Sequence, residues 1–99
     1  MAALLLLLRE RRAHGYDLLE RLPDLTGEER IDVGNLYRVL RALEEQGLVS
    51  SVWDDSLAGP AKRTYELTEA GGDALERWAT SLADTRQRID RFLERYERR

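Results

Sequence analysis

The chain contains no cysteine, one histidine and no apolar run long enough to cross a membrane. Without cysteine there is no disulfide framework and no thiolate chemistry, and the cytoplasm is the default compartment. A lone histidine would leave a transition-metal site to carboxylates, so no metal or other cofactor is expected. The opening MAALLLLL is the one hydrophobic run, far short of the roughly 20 residues of a span. No basic segment precedes it, as one precedes the apolar part of a secretory signal. A buried first helix accounts for it, and no membrane partner is expected.

An excess of positive charge is also missing. Sixteen basic residues face nineteen acidic ones, a net charge of −3. Residues 1–67 carry nine basic and twelve acidic side chains (−3), and residues 68–99 carry seven of each (0). Nucleic-acid-binding domains often carry a clear basic excess. Any such binding here has to rest on a local patch and to weaken strongly with salt. Catalytic signatures are missing too. There is no glycine-rich phosphate loop and no paired nucleophile and base, and the carboxylates mostly alternate with arginines on helix surfaces. No enzymatic activity is expected. Internal repeats and low-complexity tracts are absent. Ninety-nine residues with 42% hydrophobic content suffice for one core, to which burial against a partner would add useful stability.

Against these absences stands the stretch from Gly34 to Gly71, which reads as helix, strand, a loop closed by Gly59-Pro60, strand, and the start of a further helix. Upstream, residues 2–12 pattern as a first helix, apolar through Leu8 and closed by a charged RERR. Gly15 to Leu22 forms a second helix, ended by Pro23. Asp32 is a good N-cap for the third, because its carboxylate accepts otherwise free amides of the first turn. Leu36, Val39, Leu40 and Leu43 then mark a buried stripe, and Gly47 stops the helix. The opposite face carries Gly34, Asn35, Arg38, Arg41 and Ala42. Small and polar residues followed by two arginines about one turn apart suit insertion into a major groove.

In the first strand, Val49, Ser51 and Trp53 share a face, with Val52 on the other. In the second, Tyr65 and Leu67 alternate with Thr64 and Glu66, a half-buried edge pattern. Asp54 to Ala61 makes the wing, with Lys62 and Arg63 at its base. From Thr68, a second N-cap, one long helix runs to the end. Leu75, Trp78, Leu82, Thr85, Ile89, Phe92 and Tyr96 recur along it at alternating three- and four-residue spacing. Such a stripe cannot be buried by so small a domain, which implies a partner helix, most simply from a second copy. The expected fold is mainly α with a small β-hairpin. A winged helix-turn-helix DNA-binding domain occupies residues 1–67, and a C-terminal dimerisation helix occupies residues 68–99. In that fold a helix enters a DNA groove and the loop grips the backbone beside it.

The motif built from Gly34, Leu36, Tyr37, Leu40, Leu43, Glu44, Gly47, Leu48 and Val49 resembles the third helix and following strand of PadR-like transcriptional regulators. Arg63-x-Tyr65-x-Leu67-Thr68-x-x-Gly71 is similar to the second strand of that family, and His14-Gly15-Tyr16 to the opening of its second helix. The resemblance implies a homodimeric repressor placing two wings and two recognition helices on a palindromic site. It also implies, for some members, release from DNA by phenolic acids or flat hydrophobic drugs near the dimer interface. This chain is similar to the shorter members with one C-terminal dimerisation helix. It departs from the pattern in its acidic wing tip, DDSLAG, and in starting almost inside its first helix, so that any preceding arm is expected to be missing or removed.

Each candidate residue has two readings. Tyr37 either donates its hydroxyl to a phosphate or packs against the second helix, and the resemblance favours phosphate. Tyr16 has the same two options. Arg38 and Arg41 either contact DNA with Asn35 or pair with Glu45 and Glu44 along the helix; their place opposite the core favours DNA. Lys62 and Arg63 are assigned to phosphates, with Arg63 alternatively supporting Asp54 or Asp55. Trp78 either packs in a dimer seam with Leu75, Leu82, Ile89, Phe92 and Tyr96, or pairs across it to sandwich a small aromatic effector. Trp53 is assigned to hairpin packing and His14 to capping the second helix. The expected partners are therefore double-stranded DNA, a second copy and a possible aromatic ligand. The alternative, supported by the acidic total and acidic wing, is a winged helix used for protein–protein assembly without DNA contact.

Overall fold

Five consecutive leucines, Leu4 to Leu8, make the first element an interior helix. In α1 (Ala2–Glu10), Leu4, Leu5, Leu7 and Leu8 are all buried. The computed structural model describes residues 2–27, 32–54 and 62–98. After α1 come β1 (Ala13–His14), α2 (Gly15–Thr26), α3 (Val33–Glu45), β2 (Val49–Asp54), β3 (Lys62–Leu67) and α4 (Glu69–Glu97). Leucines from α1, α2 and α3 meet Val49, Tyr65, Ala74 and Leu75 in one core.

Helix α1 ends at Glu10, two residues earlier than its sequence suggests. The Arg21 Nη2 from α2 donates to the Leu7 carbonyl (3.3 Å), which also accepts the Arg11 amide (3.2 Å), and to Glu10 Oε1 (2.9 Å), so α2 ties down the end of the helix. The chain then extends, and Ala13 and His14 pair with Tyr65 and Thr64. The sheet is thus three-stranded and antiparallel, in the order β1-β3-β2. This corrects the edge-strand reading of residues 64–67. β3 is the central strand, and a two-residue β1 is too short to show alternation in sequence.

Pro23 does not end α2, which continues to Thr26. Proline removes a hydrogen bond to the preceding turn, but its own φ is helical, so the residues after it can go on winding. The helix closes at Gly27, whose N–H donates to the Pro23 carbonyl at 2.8 Å. In α3 the Asp32 carboxylate accepts from the amides of Gly34 (2.9 Å) and Asn35 (3.4 Å), as expected of an N-cap. Leu36, Leu40 and Leu43 are buried along its inner face and Val39 is half-buried. The expected wing over Asp54–Ala61, with its acidic tip, lies outside the described residues apart from Asp54.

Thr68 staples α4 to the domain. Its Oγ1 accepts from the Gly71 amide (3.0 Å) and donates to the Gly47 carbonyl (2.7 Å). A side chain on Gly71 would run into the Leu48 carbonyl, so only glycine lets the helix start this close to the backbone that follows α3. Gly71, Ala74 and Leu75 are buried, and α1 packs against the seated end. Leu75, expected in a dimer seam, is instead part of the chain's own core. An apolar residue at this spacing serves either purpose, and the seated first turns of the helix decide it. From Glu76 onward only Ala83 is less than exposed among the described residues. At about 1.5 Å per residue, this free length gives a molecule measuring 64 × 29 × 20 Å its long axis.

Candidate nucleic-acid interface

Two surfaces flank one another at the outer side of α3. The first is the helix face itself, on which Gly34, Asn35, Arg38, Arg41 and Ala42 are all exposed. Arg38 and Arg41 form no ion pair or hydrogen bond among the described residues, so the pairing with Glu45 and Glu44 allowed by sequence does not occur. Two unneutralised guanidiniums therefore stand in solvent on a chain whose total charge is −3.

Beside that face lies a cleft of about 480 Å³, lined by His14, Gly15, Tyr16, Tyr37, Trp53, Lys62 and Arg63. It forms where the start of α2, the middle of α3 and the base of the β2–β3 hairpin converge. Tyr37 lies across the start of α2. A Cβ on Gly15 would fall 2.6 Å from its Oη and 2.7 Å from Cε1, so glycine there makes room for the ring. The packing reading of Tyr37 thus holds, while 42% of the residue stays exposed beside the cleft. Tyr16, more exposed at 66%, sits at the same rim. Asp17 supports this corner, its carboxylate accepting from the His14 backbone amide at 3.3 Å.

Of the residues singled out by sequence, the cleft brings together Tyr16, Tyr37, Lys62 and Arg63. Asn35, Arg38 and Arg41 lie outside it, on the neighbouring helix face. His14 and Trp53 join the lining although sequence assigned them only capping and packing. Their place depends on the β1–β3 and β2–β3 pairings, which set His14 opposite Thr64 and Trp53 opposite Arg63.

Arg63 turns towards α3. Its Nε donates to Ser51 Oγ (2.7 Å), Ser51 Oγ donates to Glu44 Oε2 (2.6 Å), and Nη2 lies 3.5 Å from Glu44 Oε1. The guanidinium carbon also sits 5.5 Å from the Trp53 ring centroid, within cation–π range. Asp55, the other acidic partner considered for Arg63, lies outside the described residues. Beneath this network, burial raises the Tyr65 hydroxyl above its ordinary pKa, with Arg63 opposing and Glu44 reinforcing the shift.

On α4, Trp78, Leu82, Ile89, Phe92 and Tyr96 are exposed by between 50% and 77%. Leu93, which the heptad reading passed over, is exposed beside them, one turn beyond Ile89. Trp78 borders a groove of about 300 Å³ with Ala74, Arg77 and Ser81. Among the described residues no cluster of metal-ligating side chains occurs, and no helix is long and apolar enough to cross a membrane.

A helical core, a helix with an outward basic face and a following hairpin define a winged helix-turn-helix protein. Residues 4–77 match the Transcriptional regulator PadR-like family, and the chain belongs to that family. A conserved protein of unknown function, solved as a potential transcriptional factor, is 37% identical over 97% of this chain and 86% of its own, with a TM-score of 0.83. A candidate transcriptional regulator from Thermoplasma acidophilum is 29% identical, with 94% and 88% of the two chains covered and a TM-score of 0.79. Bacillus subtilis PadR, solved in complex with operator DNA, is 25% identical over 79% of this chain and 45% of its own, with a TM-score of 0.70. The resemblance read from the sequence motifs is therefore borne out.

Proposed function

We propose that this chain is a DNA-binding transcriptional repressor that acts as a homodimer on a palindromic operator. The observation that carries this reading is the unpaired Arg38 and Arg41 on the outer face of α3, next to a cleft holding Tyr16, Tyr37 and Lys62. In this account α3 enters the major groove, where Asn35, Arg38 and Arg41 address base edges. Arginine and asparagine suit that task because each can make two hydrogen bonds to one base. Tyr16, Tyr37 and Lys62 hold backbone phosphates at the flank and fix the register. The likeness to a PadR solved on operator DNA supports DNA binding as the role.

Residues 1–67 serve as the DNA-binding unit and residues 68–99 as the dimerisation helix. The exposed stripe of Trp78, Leu82, Ile89, Phe92 and Tyr96 meets its counterpart on a second copy, and Leu93 widens the seam. Release by a small planar aromatic is a subsidiary reading, resting on the exposed Trp78 and its groove. Quenching of tryptophan emission by such compounds, lost in Trp78→Ala, would support it. No catalytic role is assigned.

A salt titration of DNA affinity tests the main reading. Because the contacts are made by a few cationic side chains on an acidic chain, affinity should be modest, measurable at low salt, and should fall as salt is added, with a slope set by the number of phosphates held. The absence of DNA binding even at low salt would favour a protein–protein assembly role, the reading that the net negative charge supports.

A further inference from the structure

The position of Glu44 is unfavourable twice over. It lies in the last turn of α3, where the helix dipole repels a carboxylate. It also lies seven residues, two turns, beyond Tyr37, on the flank proposed to approach a polyanion. A side chain with two electrostatic penalties needs an occupation, and its two polar contacts, to Ser51 and Arg63, provide one.

We infer that Glu44 and Arg63 are positioning residues that lock the base of the hairpin against α3, so that Trp53 and Lys62 are held at a fixed distance from the helix face. The inference rests on the DNA-binding reading proposed above. Glu44, Ser51 and Arg63 come from α3, β2 and β3, and together they close a triangle. The Ser51 hydroxyl donates to Glu44 and accepts from Arg63, using its donor and one acceptor site. Arg63 meanwhile presents its face to Trp53, its cross-strand partner. The guanidinium is thereby engaged from two sides, whereas Arg38 and Arg41 are free. Its charge is committed to orientation, and Lys62, the next residue, is left to meet phosphate.

Both charged members are partly exposed, with side chains 31% and 43% accessible for Glu44 and Arg63. Pairs of this kind contribute little to stability, so their removal should leave the fold intact and misplace the hairpin. That separates the inference from simple electrostatics by sign. Removing a carboxylate beside DNA should tighten binding if Glu44 acts only through its charge. Here Glu44→Ala weakens binding to a mixed-sequence duplex, by roughly three- to tenfold, although the chain becomes more positive. Arg63→Lys weakens it similarly, because lysine keeps the charge but lacks the planar fork. A double variant is no worse than the stronger single one.

The test is a gel shift at low salt on these three variants and on Ser51→Ala, with thermal melts to show that each is folded. A Trp78→Phe background isolates Trp53 emission, which should shift in Glu44→Ala as the ring leaves the guanidinium. Tighter binding by Glu44→Ala, or wild-type affinity in Arg63→Lys, overturns the inference. If the unmodified chain binds no DNA, the functional reading fails. The locking role is then decided by the Trp53 emission, which must move in Glu44→Ala for that role to stand.

Discussion

In the proposed DNA-binding mode, Lys62 and Arg38 divide the two kinds of contact that a groove-binding surface needs. Lys62, the chain's only lysine, stands at the rim of the cleft, where a phosphate is the natural acceptor. Arg38 faces outward from α3 without a partner. Arg38→Ala should therefore weaken specific binding more than nonspecific binding, by about 1–3 kcal/mol at one base position, while Lys62→Ala should weaken both and lower the salt slope by about one. Gel shifts on specific and mixed duplexes across a salt series check both. Equal effects of the two variants on both duplexes would contradict the division. Tyr65 supports a second test at this scale. Burial raises its pKa above 10.0, so the folded chain keeps the proton at a pH where the unfolded chain has begun to lose it. Its contribution to stability is fully present below that range and is lost as pH climbs through it. Urea unfolding at about pH 8 and about pH 10.5 should show a smaller alkaline loss in Tyr65→Phe than in the parent.

The elements were legible where their signals are local. The Asp32 and Thr68 caps, the leucine stripe of α3 and the unbroken run of α4 all follow from residues within a few positions of one another. What escaped was set through space. Strand β1 exists because β3 offers it a partner, and two residues cannot show a period. Helix α2 passes Pro23 because proline disturbs only the turn before it. The network joining Glu44 to Arg63 spans nineteen positions, and nothing in either neighbourhood announces it. Leu75 shows a different limit, since a heptad position and a core position take the same residue. The seating of α4 explains which it is. Gly71→Ala should force the helix away from the Leu48 carbonyl and cost about 1–3 kcal/mol, measured as a lower denaturation midpoint. Beyond the seated turns, the outer stripe should act only between copies. Leu82→Glu with Phe92→Glu should yield a monomer by sedimentation, with the helices of the winged domain retained by circular dichroism. A dimer that survives both charges would contradict the assigned seam.

At the scale of the whole molecule, an acidic chain keeps two unpaired arginines and its one lysine together on one side of the winged domain. Each copy offers a short helix face and a single flanking cleft, too little for a broad electrostatic grip. In the proposed dimer, a second copy joined through α4 would double both and impose two-fold symmetry on whatever is bound. The operator should then be a palindrome with half-sites about one helical turn, or a multiple of it, apart. Selection of bound sequences from a random pool of duplex DNA, using the full chain, tests this most directly. Enrichment of an inverted repeat at that spacing is expected, lost when Arg38 and Arg41 are replaced by alanine. Recovery of no common sequence, or of a site without two-fold symmetry, would contradict it.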